Sequence, residues 1–220
     1  MEFEDAQIVG QWSSKKPAKV IGRIRRNVLS AMNLLTNATM FLSLDQVSIN
    51  PTEVVLSSVI SRAVIEVSDL KSLAISENLQ LDSTLGRFKS VCRQGGLMLH
   101  VDASLWDRRV RIDQDRVNQV IVNLLLNAFK YRKKIIDVTA RYRDRHLHLS
   151  VKDDGKGIDR FGMAVEKETK TDHQGPQALT IESHGIGLFL VHTILSELGG
   201  QLTIESPPGQ GAAFNAVIPC

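Results

Sequence analysis

The 220-residue sequence is poor in cysteine and has no long apolar run. Its two cysteines, Cys92 and Cys220, are too few for a disulfide framework and lack metal-ligand spacing. Apolar runs such as Leu124–Leu126 are far shorter than the roughly 18 residues that a membrane span needs. The acidic start lacks the basic-then-apolar order of a signal peptide. We therefore expect a cytoplasmic chain with no membrane span of its own, whose parent protein could still be tethered to a membrane.

The sequence also has little excess charge. Its 27 Lys and Arg residues against 24 Asp and Glu residues leave a net charge of +3, too small to indicate a nucleic-acid partner. A hydrophobic fraction of 43% with 23% charged residues is typical of a globular protein and argues against disorder. At roughly 100–200 residues per domain, the length predicts one domain, or one with an appendage.

Apolar residues recur at spacings of three and four from Val20 to about Leu44. This spacing predicts a long helix of a coiled coil or bundle, and the alternative is one amphipathic helix packed on its own domain. The predicted seam consists of Ile21, Ile24, Val28, Ala31, Leu35, Ala38 and Leu42.

A second helix is predicted from Pro51 to about Ser76, with Asn50 as its cap and Glu53 at the capping-box position. Val55, Val59, Ala63 and Val67 would be its buried face. Residues 79–111 are hard to interpret beyond a strand at Leu97–Val101. The other predicted elements are helices Asp113–Lys133 and Ile186–Leu198 and strands Ile135–Arg143, His146–Lys152, Gln201–Glu205 and Ala212–Ile218. Together they predict a two-layer α/β sandwich.

Three short sequence segments contain candidate ligand-binding residues. Asn123, Asn127 and Lys130 share one helical face, where they can hold a divalent ion and phosphate oxygens, or be ordinary polar surface residues. Asp153, at a strand end before Gly155 and Gly157, can accept a hydrogen bond from a base amino group, or belong to a plain Asp-Gly turn.

The third piece is His184-Gly185-Ile186-Gly187-Leu188, at the start of a helix. Glycines there expose backbone N–H groups that bind phosphate well, although a plain loop-to-helix junction is the alternative. A polar segment of about 25 residues separates the second and third pieces, and Gly209 and Gly211 follow before the last strand.

In this order, the pieces resemble the catalytic ATP-binding domain of sensor histidine kinases, within the GHKL ATPase superfamily. The resemblance covers residues 51–220 and extends to residues 20–44, which resemble the second helix of the preceding dimerisation domain. It implies a partial dimerisation region over residues 1–47, a GHKL-type α/β sandwich over residues 48–220, and a homodimer through residues 20–44.

The resemblance also implies ATP and Mg²⁺ as cofactors and a response regulator receiver domain as partner. Asn127 matches the Mg²⁺ ligand, Asp153 the aspartate that reads the adenine amino group, and the 159–183 segment the lid. The nucleotide-contacting set carried over is Asn123, Asn127, Lys130, Tyr131, Asp153, Gly155, Gly157, Ile158, Gly185, Gly187 and Leu188.

Two features bear on the reaction. Hydrolytic branches of the superfamily, such as gyrase, place a glutamate where this chain has Asn123, and an amide is no base near neutral pH, so hydrolysis by that route is not expected. The six histidines include none on or before the 20–44 helix, so the acceptor motif of a histidine kinase is absent. We expect either that the chain begins after the acceptor helix, or that it is a degenerate module that binds nucleotide or a partner without phosphotransfer.

Overall fold

The computed structural model of the chain describes residues 49–71, 84–157 and 185–220, together with Val28, Ala31 and Leu35. These three residues of the predicted seam are helical, and their side chains are exposed. The other seam residues, and the predicted lid, lie outside the described residues.

The elements seen in the described residues agree with the predicted ones within two residues from Leu97 onward, wherever an element was predicted. The helices are α1 (Leu56–Leu70), α2 (Leu85–Gln94), α3 (Ala103–Trp106), α4 (Gln114–Tyr131) and α5 (Gly185–Glu197). The strands are β1 (Thr52–Val55), β2 (Leu97–His100), β3 (Arg109–Ile112), β4 (Ile136–Arg143), β5 (His146–Asp153), β6 (Gln201–Glu205) and β7 (Ala213–Pro219).

The main sheet has five strands in the order β2-β4-β5-β7-β6, and only the β2–β4 pair is parallel. Because side chains alternate along a strand, Leu147, Leu149 and Val151 of β5 enter the core while the residues between them face outward. Helices α4 and α5 pack on the inner face, and α1 packs beside α4. The predicted two-layer α/β sandwich is therefore confirmed.

The prediction for residues 50–76 is wrong at both ends. Residues Thr52–Val55 form β1, which pairs with β3 in a separate two-stranded sheet, and the helix begins only at Leu56 and ends at Leu70. Val55 lies in the strand, while Val59, Ala63 and Val67 are fully buried on α1 as predicted. The residues with β-branched side chains find a partner strand nearly 60 positions away, which outweighs the local capping signals.

Asn50 is not a helix cap; instead, its backbone binds the residue that caps α4. Its backbone N–H donates to Asp113 Oδ2 at 3.0 Å, while the N–H of Arg116 donates to Asp113 Oδ1 at 3.1 Å. Asp113 is the N-cap residue of α4 and satisfies one of the free N–H groups of its first turn. One carboxylate thus fixes the start of α4 and the segment that leads into β1.

Residues 79–111, which gave little from sequence, contain α2, α3 and β3. Only Phe88 and Cys92 of α2 are fully buried, and the ring of Phe88 lies 5.0 Å from that of Trp106. This short helix therefore closes the core at the β2 edge. Among the described helices, none is both long enough and apolar enough to cross a bilayer.

Candidate functional site

The polar face of α4 is arranged as the sequence predicts, but its residues differ in exposure. Asn123 is only 4% exposed, and its Nδ2 donates to the Gln119 carbonyl at 2.9 Å. Asn127, one turn later, is half-buried, and its buried Nδ2 has no hydrogen-bond partner among the described residues. Lys130 is exposed, with its Nζ 5.0 Å from the centre of the Tyr131 ring. The face thus runs from a buried amide to an exposed cation.

Asp153, the last residue of β5, carries a buried acceptor without a partner. The residue is 2% exposed, and its Oδ1 accepts the N–H of Gly155 at 2.8 Å. Its Oδ2 is buried and has no hydrogen-bond partner in the described part of the chain. Burial raises the pKa of this carboxyl above its ordinary value, against the lowering effect of the backbone hydrogen bonds around it. A ligand that brings a hydrogen-bond donor to Oδ2 would relieve this cost.

The start of α5 lies directly against the amide face of α4. A Cβ placed on Gly187 would lie 3.1 Å from Asn123 Oδ1 and 3.9 Å from Asn127 Nδ2. The absence of a side chain at Gly187 thus allows the first turn of α5 to approach both amides. Gly185 begins this helix, and Leu188 is half-buried just before its first core residues, Leu190 and Val191. Ile158 and His184 lie outside the described residues.

Glycines also join the strand end to the end of α4. A Cβ on Gly155 would overlap the carbonyl of Tyr131, so these two backbones touch. A Cβ on Gly211 would overlap the carbonyl of Asp153, and Gly211 has a φ of +81° that favours glycine. Gly157, with a φ of +83°, packs near the same Gly211 loop. Helix α4 therefore contacts both the turn that follows β5 and the start of α5.

The residues gathered here fit a nucleotide with a metal-bound phosphate chain. Asp153 offers a buried acceptor suited to the amino group of a base, and the first turn of α5 offers backbone N–H groups to an anion. Asn127 offers an amide oxygen to a cation, and Lys130 offers a positive charge to phosphate. Among the described residues, no three His, Cys, Asp or Glu side chains form a metal-binding group. A metal here would complete its coordination with ligand oxygens and water.

Sequence reasoning missed two residues that shape this site. Asp154 accepts backbone N–H groups from the loop after α4, and Arg132 donates from that loop to the carbonyl of Gly95 at 2.9 Å. Neither residue carries a recognisable sequence signal, because their partners are backbone atoms.

The fold and the site define a GHKL-type ATP-binding domain. Residues 112–220 match the family described as "Histidine kinase-, DNA gyrase B-, and HSP90-like ATPase". The chain is 31% identical to the sensor histidine kinase ZraS of Escherichia coli O157:H7 over 175 residues, which are 78% of this chain and 33% of that protein. It is 29% identical to the sensor protein kinase GraS of Staphylococcus aureus over 151 residues, which are 68% of this chain and 41% of that protein.

Among solved structures, the histidine kinase AdeS of Acinetobacter baumannii has the same fold, with a TM-score of 0.58 at 18% identity over 95% of this chain and 86% of that one. This chain therefore belongs to the histidine kinase branch of the family and contains its GHKL ATP-binding catalytic domain. It spans about a third of the length of ZraS, so most of such a relative lies outside the compared region.

Proposed function

We propose that this chain is the ATP-binding catalytic core of a two-component sensor histidine kinase. In this proposal it transfers the γ-phosphoryl group of ATP to a histidine that lies outside the 220 residues. The observation that carries the proposal is that α4 contacts both the turn after Asp153, at Tyr131, and the start of α5, at Gly187, with a buried acceptor left unused at Asp153.

The adenine end of the proposed site is Asp153. Its Oδ1 is taken by the N–H of Gly155, so Oδ2 is the atom that would accept from the adenine amino group. A base without an amino group there leaves this buried oxygen unsatisfied, which gives the site its preference for adenine. Gly155 and Gly157 border this position and allow the backbone to pack closely against Tyr131 and the 207–211 loop, and Ile158 would line the same pocket.

The phosphate end is formed by α4 and the start of α5. Asn127 would bind Mg²⁺, whose charge neutralises the phosphates, while Lys130 and Tyr131 would contact the phosphate oxygens. Gly185, Gly187 and Leu188 would present the N-terminal turn of α5 to the same oxygens. These groups hold the γ-phosphorus in line for attack by an imidazole nitrogen. The bond to the bridging oxygen then breaks, ADP leaves, and the imidazole loses its proton.

Asn123 favours transfer over hydrolysis. A general base is needed to activate water, and a carboxamide cannot serve as one near neutral pH. Its amide is buried beneath Gly187 and donates to the Gln119 carbonyl. We therefore assign Asn123 to holding the start of α5 beside the phosphates.

The experiment that tests transfer uses the complete gene product with Mg²⁺ and ATP labelled at the γ-phosphate. A kinase acquires label that is labile in acid and stable in base, as expected of phosphohistidine, and Asn127→Ala does not. The other candidate, a degenerate module, is suggested by the missing acceptor motif. It predicts saturable nucleotide binding without any such label, and that result would overturn the kinase proposal.

We also propose that the chain forms a homodimer through residues 20–44. Val28 is 51% exposed and Leu35 is 67% exposed although both are apolar and helical, as expected for a seam that needs a partner helix. Sedimentation equilibrium should show a dimer for the full chain, and Leu35→Asp should shift it toward monomer. A monomer at high concentration would contradict the proposal.

The proposed partner and cellular location follow from the reaction. A phosphohistidine needs an acceptor downstream, so a response regulator receiver domain is the proposed partner. ATP and receiver domains are cytoplasmic, so we place this domain there, in a parent protein that can be membrane-tethered.

A further inference from the structure

The two ends of the proposed site lie on different elements, so their relative position must be fixed. Asp153 is anchored by the sheet: it pairs with Ile136 of β4, and its N–H donates to the Ala212 carbonyl at 2.9 Å. Asn127, Lys130 and Tyr131 belong to the last two turns of α4. Along the chain, the two ends are joined by the short loop of residues 132–135, strand β4 and strand β5.

The side chain of Asp154 links the segment after Asp153 directly to the loop after α4. Its Oδ1 accepts the backbone N–H of Lys133 at 2.8 Å and that of Lys134 at 3.0 Å, and its Oδ2 accepts the latter at 3.1 Å. On the other side of the loop, Arg132 donates to the carbonyl of Gly95 at 2.9 Å. The loop after α4 is therefore held from both sides by side chains.

The ionised form of Asp154 is the one that makes this bridge. Although desolvation opposes ionisation, the N–H groups of Lys134, Ile135 and Lys133 together hold the pKa of Asp154 below its ordinary value. The adjacent Asp153 has a raised pKa because it is buried. Two neighbouring carboxylates thus have opposite environments and can have separate tasks.

We infer that Asp154 is a positioning residue, which fixes the phosphate-binding end of α4 relative to the adenine-binding Asp153. This inference rests on the proposed function. Asp154 touches neither end of the nucleotide in this account. It acts through the Lys133–Lys134 backbone on Tyr131 and Lys130. The groups that bind the phosphates are thereby held at a fixed position relative to the group that binds the adenine.

The roles of the two ends predict how the loss of Asp154 affects binding. Without it, Asp153 keeps its place because β4 and β7 hold it, so binding of adenosine should change by less than about twofold. The end of α4 is released, so part of the affinity that the phosphates add is lost. We expect Asp154→Ala to bind Mg-ATP about tenfold more weakly than the wild-type chain.

The test is isothermal titration of the full chain with adenosine and with Mg-ATP. Asp154→Asn should restore Mg-ATP affinity to within about threefold, because an amide oxygen can accept both N–H groups. Asp107→Ala, which removes an exposed carboxylate beyond α3, is the matched control and should leave both affinities unchanged. Should Asp154→Ala melt below the assay temperature, the same titrations are run on all variants at a lower temperature, with the same expected outcomes.

Three results would overturn the inference alone: equal losses for adenosine and Mg-ATP, no loss for either, or an Asp154→Asn variant as weak as Asp154→Ala. Absence of saturable Mg-ATP binding by the wild-type chain would instead overturn the proposed function, and the inference with it.

Discussion

Asp153→Asn should weaken binding of Mg-ATP by roughly 100-fold, or about 2.8 kcal/mol. The carboxylate uses Oδ1 for the N–H of Gly155, at 2.8 Å, and keeps Oδ2 for the adenine amino group. An asparagine has one oxygen for these two places. If the oxygen faces Gly155, an NH₂ group meets the adenine amino group, and if it faces the adenine, the NH₂ group meets the Gly155 N–H. Titration with a fluorescent ATP analogue measures the loss, and unchanged affinity would contradict the assignment.

The stability of the same variant distinguishes a lost contact from a lost fold. Burial raises the pKa of Asp153 in the folded chain, so the stability linked to this group is present below the ordinary carboxyl pKa of about 3.9 and lost as pH rises through the raised value. Asparagine has no such loss. The melting temperature of unliganded Asp153→Asn should therefore equal or exceed that of the wild type at pH 7, with the difference shrinking toward pH 4. A lower melting temperature at pH 7 would show that the affinity loss reflects damage to the fold.

Asn127→Ala should abolish the dependence of ATP binding on Mg²⁺ and lower phosphotransfer at least about 100-fold. In the proposal the amide oxygen of the half-buried Asn127 is the protein's own ligand to the metal. The metal would then be held by phosphate and water alone. Titrations with and without Mg²⁺, together with transfer of labelled phosphate, measure both effects.

Asn118→Ala is the matched control for this prediction. Asn118 is an amide on the same helix, but its Nδ2 donates to Glu66 Oε2 on α1 at 3.0 Å, away from the proposed site. Its replacement should lower the melting temperature while the Mg²⁺ dependence of binding persists. If Asn118→Ala and Asn127→Ala lost Mg²⁺ dependence equally, the metal role of Asn127 would be wrong.

The parts of the fold that were predictable are those with strong local signals. Helix α4 follows from its apolar stripe, and α5 ends where Gly199, with a φ of +72°, allows the chain to turn. Strands β4 and β5 were also predicted within one residue at each end, although Asp144 and Arg145 between them adopt positive φ angles without any glycine. Each of these elements is decided by residues close in sequence.

The parts that were not predictable depend on distant partners. Asn50, Pro51 and Glu53 read as a helix start, but Thr52–Val55 pairs with Arg109–Ile112, and no local pattern announces that pairing. Helix α2 has only two fully buried side chains, which is too sparse a stripe to predict a helix.

The same distinction holds in the site. The residues that would touch the nucleotide follow from motif and spacing, since their chemistry is in their side chains. The contact between Gly187 and Asn123, and the bridge from Asp154 to the Lys133 and Lys134 N–H groups, depend on how α5 and β5 pack against α4. A contact to a backbone atom does not require a particular residue type at that position. These supporting contacts could therefore be recognised only in the folded chain.

The central claim is that separate pieces of the chain form a single site for one Mg-ATP. The most direct measurement is a titration of the ¹⁵N-labelled chain with Mg-ATP, followed by the backbone amide signals of Asn127–Tyr131, Asp153–Gly157 and Gly185–Leu188. The account predicts that all three groups shift along one common saturation curve, and that none of them does so in Asp153→Asn at the same concentrations. Shifts confined to one group, or groups that saturate with different dissociation constants, would contradict it.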